Sequence, residues 1–176
     1  MGLVIMTGAS GSGKTAIAEA IEADHPAITV FRFDSIGVPS TPVMAAFGAG
    51  DQPGGAWQRA MTLHWLKRIA PLVAAGHTVL FEGQMRIAFI HEALAASAVE
   101  AALIVLVECD DATRSRRLTE HRLQPELADQ SMMNWSRYLH QEAVEAGCRI
   151  LDTTDLSLRD SVSGVLRLLA EASGKR

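Results

Sequence analysis

The chain has 176 residues, 48% of them apolar and 20% charged, with a formal net charge of −4 at pH 7. Its size suits one domain over residues 1–176, and no stretch approaches the roughly 20 apolar residues that a membrane helix needs. The acidic net charge argues against nucleic-acid binding, so we expect a small-molecule partner. The two cysteines, Cys109 and Cys148, are too few for a disulfide framework, so we expect a cytoplasmic protein.

Apolar runs and helical segments alternate along the chain. The runs are short and rich in β-branched residues, at positions 3–7, 28–33, 78–81, 103–107 and 149–151. The segments with helical periodicity or helix-start signals are 14–23, 56–75, 111–121, 131–146 and 157–169. This alternation predicts an α/β fold in which crossover helices cover a parallel sheet. Residues 37–55 are rich in glycine and proline, and we expect them to form an irregular substrate loop.

The first apolar run leads directly into a glycine-rich turn that fits the pattern GxxxxGK[ST] between a strand and a helix. Glycines let successive backbone N–H groups point inward, and a helix N-terminus adds partial positive charge, so such a loop holds a triphosphate. Lys14 would reach the β- and γ-phosphates, and the Thr15 hydroxyl would bind Mg²⁺. The alternative is a simple turn that leaves Lys14 in solvent. The nucleotide-binding residues predicted here are Gly8, Ala9, Ser10, Gly11, Ser12, Gly13, Lys14 and Thr15.

A phosphate loop alone does not separate kinases from GTPases or motor ATPases. The chain has no NKxD stretch of the kind that recognises guanine, and no Asp-Glu pair follows an apolar run. The third run is followed instead by Glu82-Gly83-Gln84-Met85-Arg86.

Together with arginines at 114–122 and the stretch Ile-Leu-Asp-Thr-Thr at 150–154, these motifs resemble the P-loop small-molecule kinases, which include nucleoside monophosphate, shikimate and gluconate kinases. The resemblance implies a P-loop NTPase fold of the kinase type: a three-layer α/β/α sandwich whose five-stranded parallel sheet has the order 2-3-1-4-5. It also implies ATP and Mg²⁺ as cofactors.

The resemblance also assigns residues on the acceptor side, within a segment of about 35–60 and just after the third strand. Glu82 would lie close to Mg²⁺, and Arg86 would hold an anionic group of the acceptor. Asp34, which follows the second run, would orient the acceptor hydroxyl and accept its proton. The alternative for Asp34 is a residue that caps its own loop. Trp57 and Arg59 are further candidates for the acceptor pocket.

A short lid is expected at about 114–137. By resemblance Arg117 would contact adenine, Arg122 or Arg137 would reach phosphates, and Thr153 and Thr154 would lie against the purine. His121 occupies the position at which the family places a second arginine. The alternatives are a solvated helix face whose arginines pair with Asp110, Asp111 and Glu120, and a loop at 152–155 that only turns the chain.

The sequence therefore predicts an ATP- and Mg²⁺-dependent phosphotransferase. Its acceptor would be a hydroxyl on an anionic metabolite, a nucleoside or a nucleotide. A nucleotide-binding regulatory module and a bare NTP hydrolase are the alternatives. The acceptor's identity, the choice between ATP and GTP, and the oligomeric state stay open.

Overall fold

The computed structural model describes residues 2–37 and 54–174. Residues 38–53, the larger part of the predicted acceptor segment, lie outside the described residues. The strands are β1 (Gly2–Thr7), β2 (Ile28–Arg32), β3 (Thr78–Glu82), β4 (Leu103–Glu108) and β5 (Arg149–Asp152). The α-helices within the described ranges are α1 (Lys14–Asp24), α2 (Gly55–Ala74), α3 (Ile87–Ala96), α4 (Asp111–Arg116), α5 (Gln130–Glu145) and α6 (Leu158–Ala172). None of them is long and apolar enough to cross a bilayer.

The five strands form one parallel sheet in the order β2-β3-β1-β4-β5, which confirms the predicted topology. Central β1 pairs with β3 on one side and β4 on the other, and Met6 stands opposite Glu82 in the register. The Gly83 N–H also donates to the Met6 carbonyl (3.1 Å). The phosphate loop after β1 and the acidic residue that ends β3 therefore emerge side by side at one edge of the sheet.

Both faces of the sheet are covered by helices. Every residue of β1 is buried, and successive side chains point to opposite faces because a strand has a period of two. Leu3 and Ile5 pack with α2, α3 and α5, whereas Val4 and Met6 pack with α1 and α6. This two-sided burial explains why the strands read as continuous apolar runs rather than as alternating patterns.

Three segments differ from the sequence-based expectation. Helix α3 was not predicted from its pattern. The helix expected over 111–121 ends at Arg116 and continues as a wider helical turn over Arg117–His121. The run expected to end at 33 stops at Arg32, because Phe33–Ile36 form a short 3₁₀ turn. The expected helix start at Ser157 is confirmed, since the Asp160 N–H donates to the Ser157 hydroxyl oxygen (3.1 Å).

Candidate active site

The loop between β1 and α1 has the backbone shape that its glycines require. Gly8, Gly11 and Gly13 all have positive φ (152°, 80° and 99°), a region that favours glycine. A Cβ on Gly8 would stand 2.1 Å from the Val107 carbonyl oxygen, so no other residue fits there. The first N–H to be bonded back along α1 is that of Ile17, which donates to the Gly13 carbonyl (3.1 Å). The amides at the start of α1 therefore have no acceptor within the helix and can donate to an anion.

Arg114 holds this loop in place by hydrogen bonds. Its side chain is fully buried, one Nη donates to the Ser10 carbonyl (2.9 Å), and the other donates to the Cys109 carbonyl (2.9 Å) and the Ser136 hydroxyl (2.7 Å). The sequence placed Arg114 at the start of a lid. The structure instead makes it a support of the phosphate loop.

Lys14 is buried within the loop that it follows. Its ammonium donates to the Ala9 carbonyl (3.1 Å) and the Ser12 hydroxyl (3.4 Å). Burial lowers the pKa of Lys14 from 10.5 to about 8, although the Glu82 carboxylate opposes this shift. Because the Lys14 ammonium is poorly solvated, phosphate oxygens bound beside it would stabilise its charged form.

Two carboxylates act on the same ammonium. Glu82 is buried at the end of β3, and burial raises the pKa of its carboxyl while the charge of Lys14 opposes that rise. Asp34 is exposed in the turn after β2, and its charge raises the pKa of both Lys14 and Glu82. No hydrogen bond joins the Asp34 carboxylate to another of the described residues. The charges of Lys14, Asp34 and Glu82 thus act on one another.

Arg86, the predicted acceptor-binding arginine, is paired with Glu142 on α5. Its side chain is 10% exposed, and its Nε and Nη2 both donate to Glu142 Oε1 (3.1 and 2.7 Å). Glu142 Oε2 accepts the Ile87 N–H (2.9 Å), and the rings of Phe89 and Tyr138 lie 4.9 and 5.2 Å from the Arg86 guanidinium carbon. These contacts tie α3 to α5. The role of holding an acceptor anion stays a prediction.

An open cavity of about 500 Å³ extends from the phosphate loop along α1. Arg117 fixes one of its walls, since its guanidinium donates to both the hydroxyl and the carbonyl oxygen of Thr153 (2.8 Å each). Arg122 and His121 line the cavity together with Lys14 and Thr15. Arg117, Arg122 and Thr153 thus line the same cavity as the loop residues Gly11, Gly13 and Lys14, and their roles toward a nucleotide stay predictions.

The neighbouring polar residues have structural partners of their own. Thr154 donates to the Asp152 carboxylate (2.6 Å) and accepts the Asp110 N–H (2.9 Å), so it shapes the loop after β5. Arg137, a candidate phosphate ligand, is 58% exposed and pairs with Asp111 (2.8 Å). These contacts match the alternative interpretations for both residues.

The residues present fit a phosphate chain and a magnesium ion. The start of α1 supplies amides that have no acceptor within the helix, Lys14 supplies a buried ammonium, and Thr15 and Glu82 supply hydroxyl and carboxylate oxygens. No cluster of three or more His, Cys, Asp or Glu side chains occurs among the described residues. Mg²⁺ ordinarily binds one or two carboxylates plus phosphate oxygens rather than an all-protein cage, so two oxygen donors suffice.

Several site residues were not identified from the sequence. Gln58 donates to the Gln84 carbonyl (2.8 Å) and accepts the Arg86 N–H (2.9 Å), which fixes the loop after β3. Leu156 and Leu158 line the cavity beside the phosphate loop although they are 38% and 50% exposed. These two leucines, in an otherwise polar stretch of the sequence, are the one sequence feature that indicates an apolar wall of this cavity.

Trp57 and Arg59 were candidates for the acceptor pocket. Trp57 packs edge-to-face on Phe33 (5.5 Å between ring centroids), and Arg59 pairs with Glu92 on α3 (2.6 Å). Trp65 is a core residue, as expected, and donates to the Phe33 carbonyl (3.1 Å).

No protein-family model and no curated protein matches the chain. Solved structures resemble it over nearly its whole length. A sugar kinase from a Janibacter species, unliganded, has a TM-score of 0.72 at 15% identity, covering 99% of this chain and 98% of that chain. A gluconokinase from Sinorhizobium meliloti has a TM-score of 0.68 at 18% identity, covering 98% and 94%. A shikimate kinase from Acinetobacter baumannii, in complex with shikimate, has a TM-score of 0.63 at 13% identity, covering 97% and 94%. The chain therefore has the fold of the P-loop small-molecule kinases.

Proposed function

We propose that the protein is an ATP- and Mg²⁺-dependent phosphotransferase whose acceptor is a hydroxyl group on a small molecule. The observation that carries this proposal is the buried Lys14 ammonium, on which the charges of Glu82 and Asp34 act, beside a helix start whose first amides have no acceptor within the helix. The fold shared with sugar, gluconate and shikimate kinases supports the same conclusion.

When bound, the triphosphate supplies the phosphoryl group: a bond forms between the acceptor oxygen and the γ-phosphorus, and the bond from that phosphorus to the β–γ bridging oxygen breaks. The loop amides and Lys14 hold the phosphates and offset their charge. Thr15 and Glu82 would hold the metal ion. Arg117, Thr153 and the two exposed leucines would hold the base and ribose end.

Asp34 is the residue that acts on the acceptor hydroxyl in this proposal. Its carboxylate, which has no hydrogen-bond partner among the described residues, orients the hydroxyl and takes its proton as the new bond forms. Arg122 lines the cavity, and because its charge acts on Lys14 and Glu82, it would add positive charge where negative charge accumulates during transfer. Catalysis of this kind rests on positioning and electrostatics rather than on a covalent intermediate.

The test uses nucleotide binding and acceptor-dependent ADP release as separate measurements. Addition of ATP and Mg²⁺ at a hundredfold their dissociation constant should stabilise the protein by about 2.7 kcal/mol, visible as a higher melting temperature. Screening nucleosides, sugars and other alcohols should then reveal stimulated ADP release. Lys14→Ala and Asp34→Asn should abolish transfer in a folded protein, whereas Asp24→Asn, the same change at an exposed carboxylate that ends α1, should not.

The outcomes separate the alternatives. Full turnover by Asp34→Asn would remove that residue from the mechanism. Tight nucleotide binding without acceptor-stimulated turnover would indicate a regulatory nucleotide-binding module, and nucleotide release that depends on water alone would indicate a hydrolase. No stabilisation by any nucleotide would end the proposal.

A further inference from the structure

Arg114 is the most deeply buried cation among the described residues. It is 0% exposed, against 7% for Lys14 and 8% for Arg86. The other two have a carboxylate to interact with, since Arg86 is paired with Glu142 (2.7 Å) and the charge of Glu82 acts on Lys14. Arg114 belongs to none of the ion pairs in the part of the chain that the structure describes.

The groups that Arg114 contacts are neutral. Its Nη1 donates to the Ser10 carbonyl (2.9 Å), and its Nη2 donates to the Cys109 carbonyl (2.9 Å) and the Ser136 hydroxyl (2.7 Å). Its Nε is buried and donates to no acceptor among the described residues. Buried charges in proteins are ordinarily paired, because an unpaired charge loses its hydration without compensation. The three hydrogen bonds offset part of that loss, and no described residue supplies a counter-ion.

The acidic residues nearest to Arg114 in the sequence have partners of their own. Asp110 caps α4, since its carboxylate accepts the Thr113 N–H (2.6 Å), and Asp111 is paired with Arg137 (2.8 Å). Both acidic residues are exposed, so water and salt screen their charges. They therefore do not replace a buried counter-ion.

The phosphate loop lies directly against this guanidinium. The Ser10 carbonyl that accepts from Nη1 belongs to the same peptide unit as the Gly11 N–H, and in a trans peptide these two groups point in opposite directions. The Gly11 N–H thus points away from Arg114, and Gly11 lines the cavity beside the loop. A cationic donor on the carbonyl polarises the peptide unit and makes its N–H a stronger donor to an anion. The charge of Arg114, which also acts on Lys14, therefore reaches the loop although Arg114 is not among the residues that line the cavity.

We propose that the phosphate chain of the bound nucleotide is the counter-ion of Arg114, and that Arg114 is a positioning residue whose charge strengthens phosphate binding through the Ser10 peptide. This inference rests on the proposed function, which supplies the polyphosphate. It goes beyond support of the loop by hydrogen bonds, because a neutral donor of the same shape would give that support equally well. The free protein carries an unpaired buried charge, and the phosphates compensate it when they bind.

A carboxylate placed beside Arg114 tests this inference. Ser136 is half-buried on α5, and Ser136→Asp supplies a counter-ion without altering Arg114 or the loop. Ser136→Asn is the matched neutral control of the same size. Without ligand, the Ser136→Asp protein should unfold at a higher urea concentration than the control, because a buried charge gains its partner. Its dissociation constants for ADP and for inorganic pyrophosphate, measured with Mg²⁺ by calorimetry, should both be about tenfold higher, because the phosphates lose part of their attraction.

The two expected effects have opposite signs, which a purely structural role does not produce. If Arg114 only held the loop in place, a better partner for its charge would leave the affinity for phosphates unchanged or improve it. Equal dissociation constants in the Ser136→Asp and Ser136→Asn proteins would therefore overturn the inference. So would an unliganded Ser136→Asp protein that is no more stable than its control. Failure of the unaltered protein to bind any nucleotide would instead defeat the proposed function.

A second pair of variants decides the question if the Ser136→Asp protein does not fold. Arg114→Lys keeps the charge and Arg114→Gln removes it, while both lose part of the planar set of donors. At pH 7 and low salt, the Arg114→Lys protein should bind ADP at least about tenfold more tightly than the Arg114→Gln protein. Equal affinities would show that hydrogen bonds alone account for Arg114 and would overturn the inference. The control is Arg149→Gln, which neutralises an exposed arginine paired with Glu171 and should leave the affinity unchanged.

Discussion

Proton uptake by Lys14 provides a direct test of the phosphate loop. In the free protein burial lowers the pKa of Lys14 to about 8, so part of the population is neutral under mildly alkaline conditions. Phosphate oxygens favour the charged ammonium and raise its pKa. Nucleotide binding should therefore be accompanied by proton uptake, and the affinity should fall as the pH rises through 8.

The expected magnitude follows from linkage. If the bound nucleotide returns the pKa of Lys14 from about 8 to at least its ordinary 10.5, binding at pH 8 takes up about half a proton. From pH 7.5 to pH 9.5 the dissociation constant should then rise about 20-fold. The phosphates of ADP have already lost their protons in this range, since the second phosphate pKa lies near 6.

Isothermal titration of ADP and Mg²⁺ in two buffers of different ionisation enthalpy measures the uptake. The control is Lys14→Arg, whose guanidinium stays charged throughout and should show neither the uptake nor the pH dependence. A dissociation constant that changes less than about threefold over the range would refute the argument, as would equal proton uptake in the control.

Three further predictions concern the same site. Gly8→Ala should unfold the loop or lower the free energy of unfolding by several kcal/mol in urea denaturation, because its Cβ would stand 2.1 Å from the Val107 carbonyl oxygen. The control is Gly147→Ala, which also lies at positive φ but in open space. It should cost only about 1 kcal/mol. Arg114→Lys should cost about 3 kcal/mol or more in the same assay and weaken nucleotide binding, since a lysine cannot reproduce three hydrogen bonds from one planar group. Thr153→Val should weaken ADP binding about tenfold in calorimetry while Thr153→Ser leaves it unchanged, and equal affinities would show that the hydroxyl does not position the cavity wall.

The nucleotide half of the site could be predicted because its information is local. Ten consecutive residues supply the strand end, the glycines and the helix start, and each has a short-range physical reason to be there. The position of Glu82 beside this loop followed from a strand order that the resemblance implied and the structure confirms.

Helix α3 could not be predicted because its sequence lacks an amphipathic pattern. Its residues Ile87, Phe89, Ile90, Ala93 and Leu94 are all buried, and few polar residues interrupt them. Amphipathic periodicity is the main sequence sign of a helix, so a short helix that is apolar on most of its circumference gives little evidence of its type.

The acceptor half could not be predicted because its charges are decided by distant pairs. Arg86 and Glu142 are 56 residues apart in sequence, and Arg59 and Glu92 are 33 apart. An arginine that follows a strand, as Arg86 follows β3, has the same neighbours in sequence whether its side chain contacts a ligand or a carboxylate on another helix. The pairing of Arg86 with Glu142 becomes visible only in the tertiary structure.

The ion pairs also decide which arginines face the cavity beside the phosphate loop. Arg117 and Arg122 line it together with Lys14, whereas Arg32, Arg59 and Arg86 are paired with Glu22, Glu92 and Glu142 and are not among its lining residues. Positive charge is therefore concentrated beside the loop, and under the proposed function this charge would favour the binding of a triphosphate there.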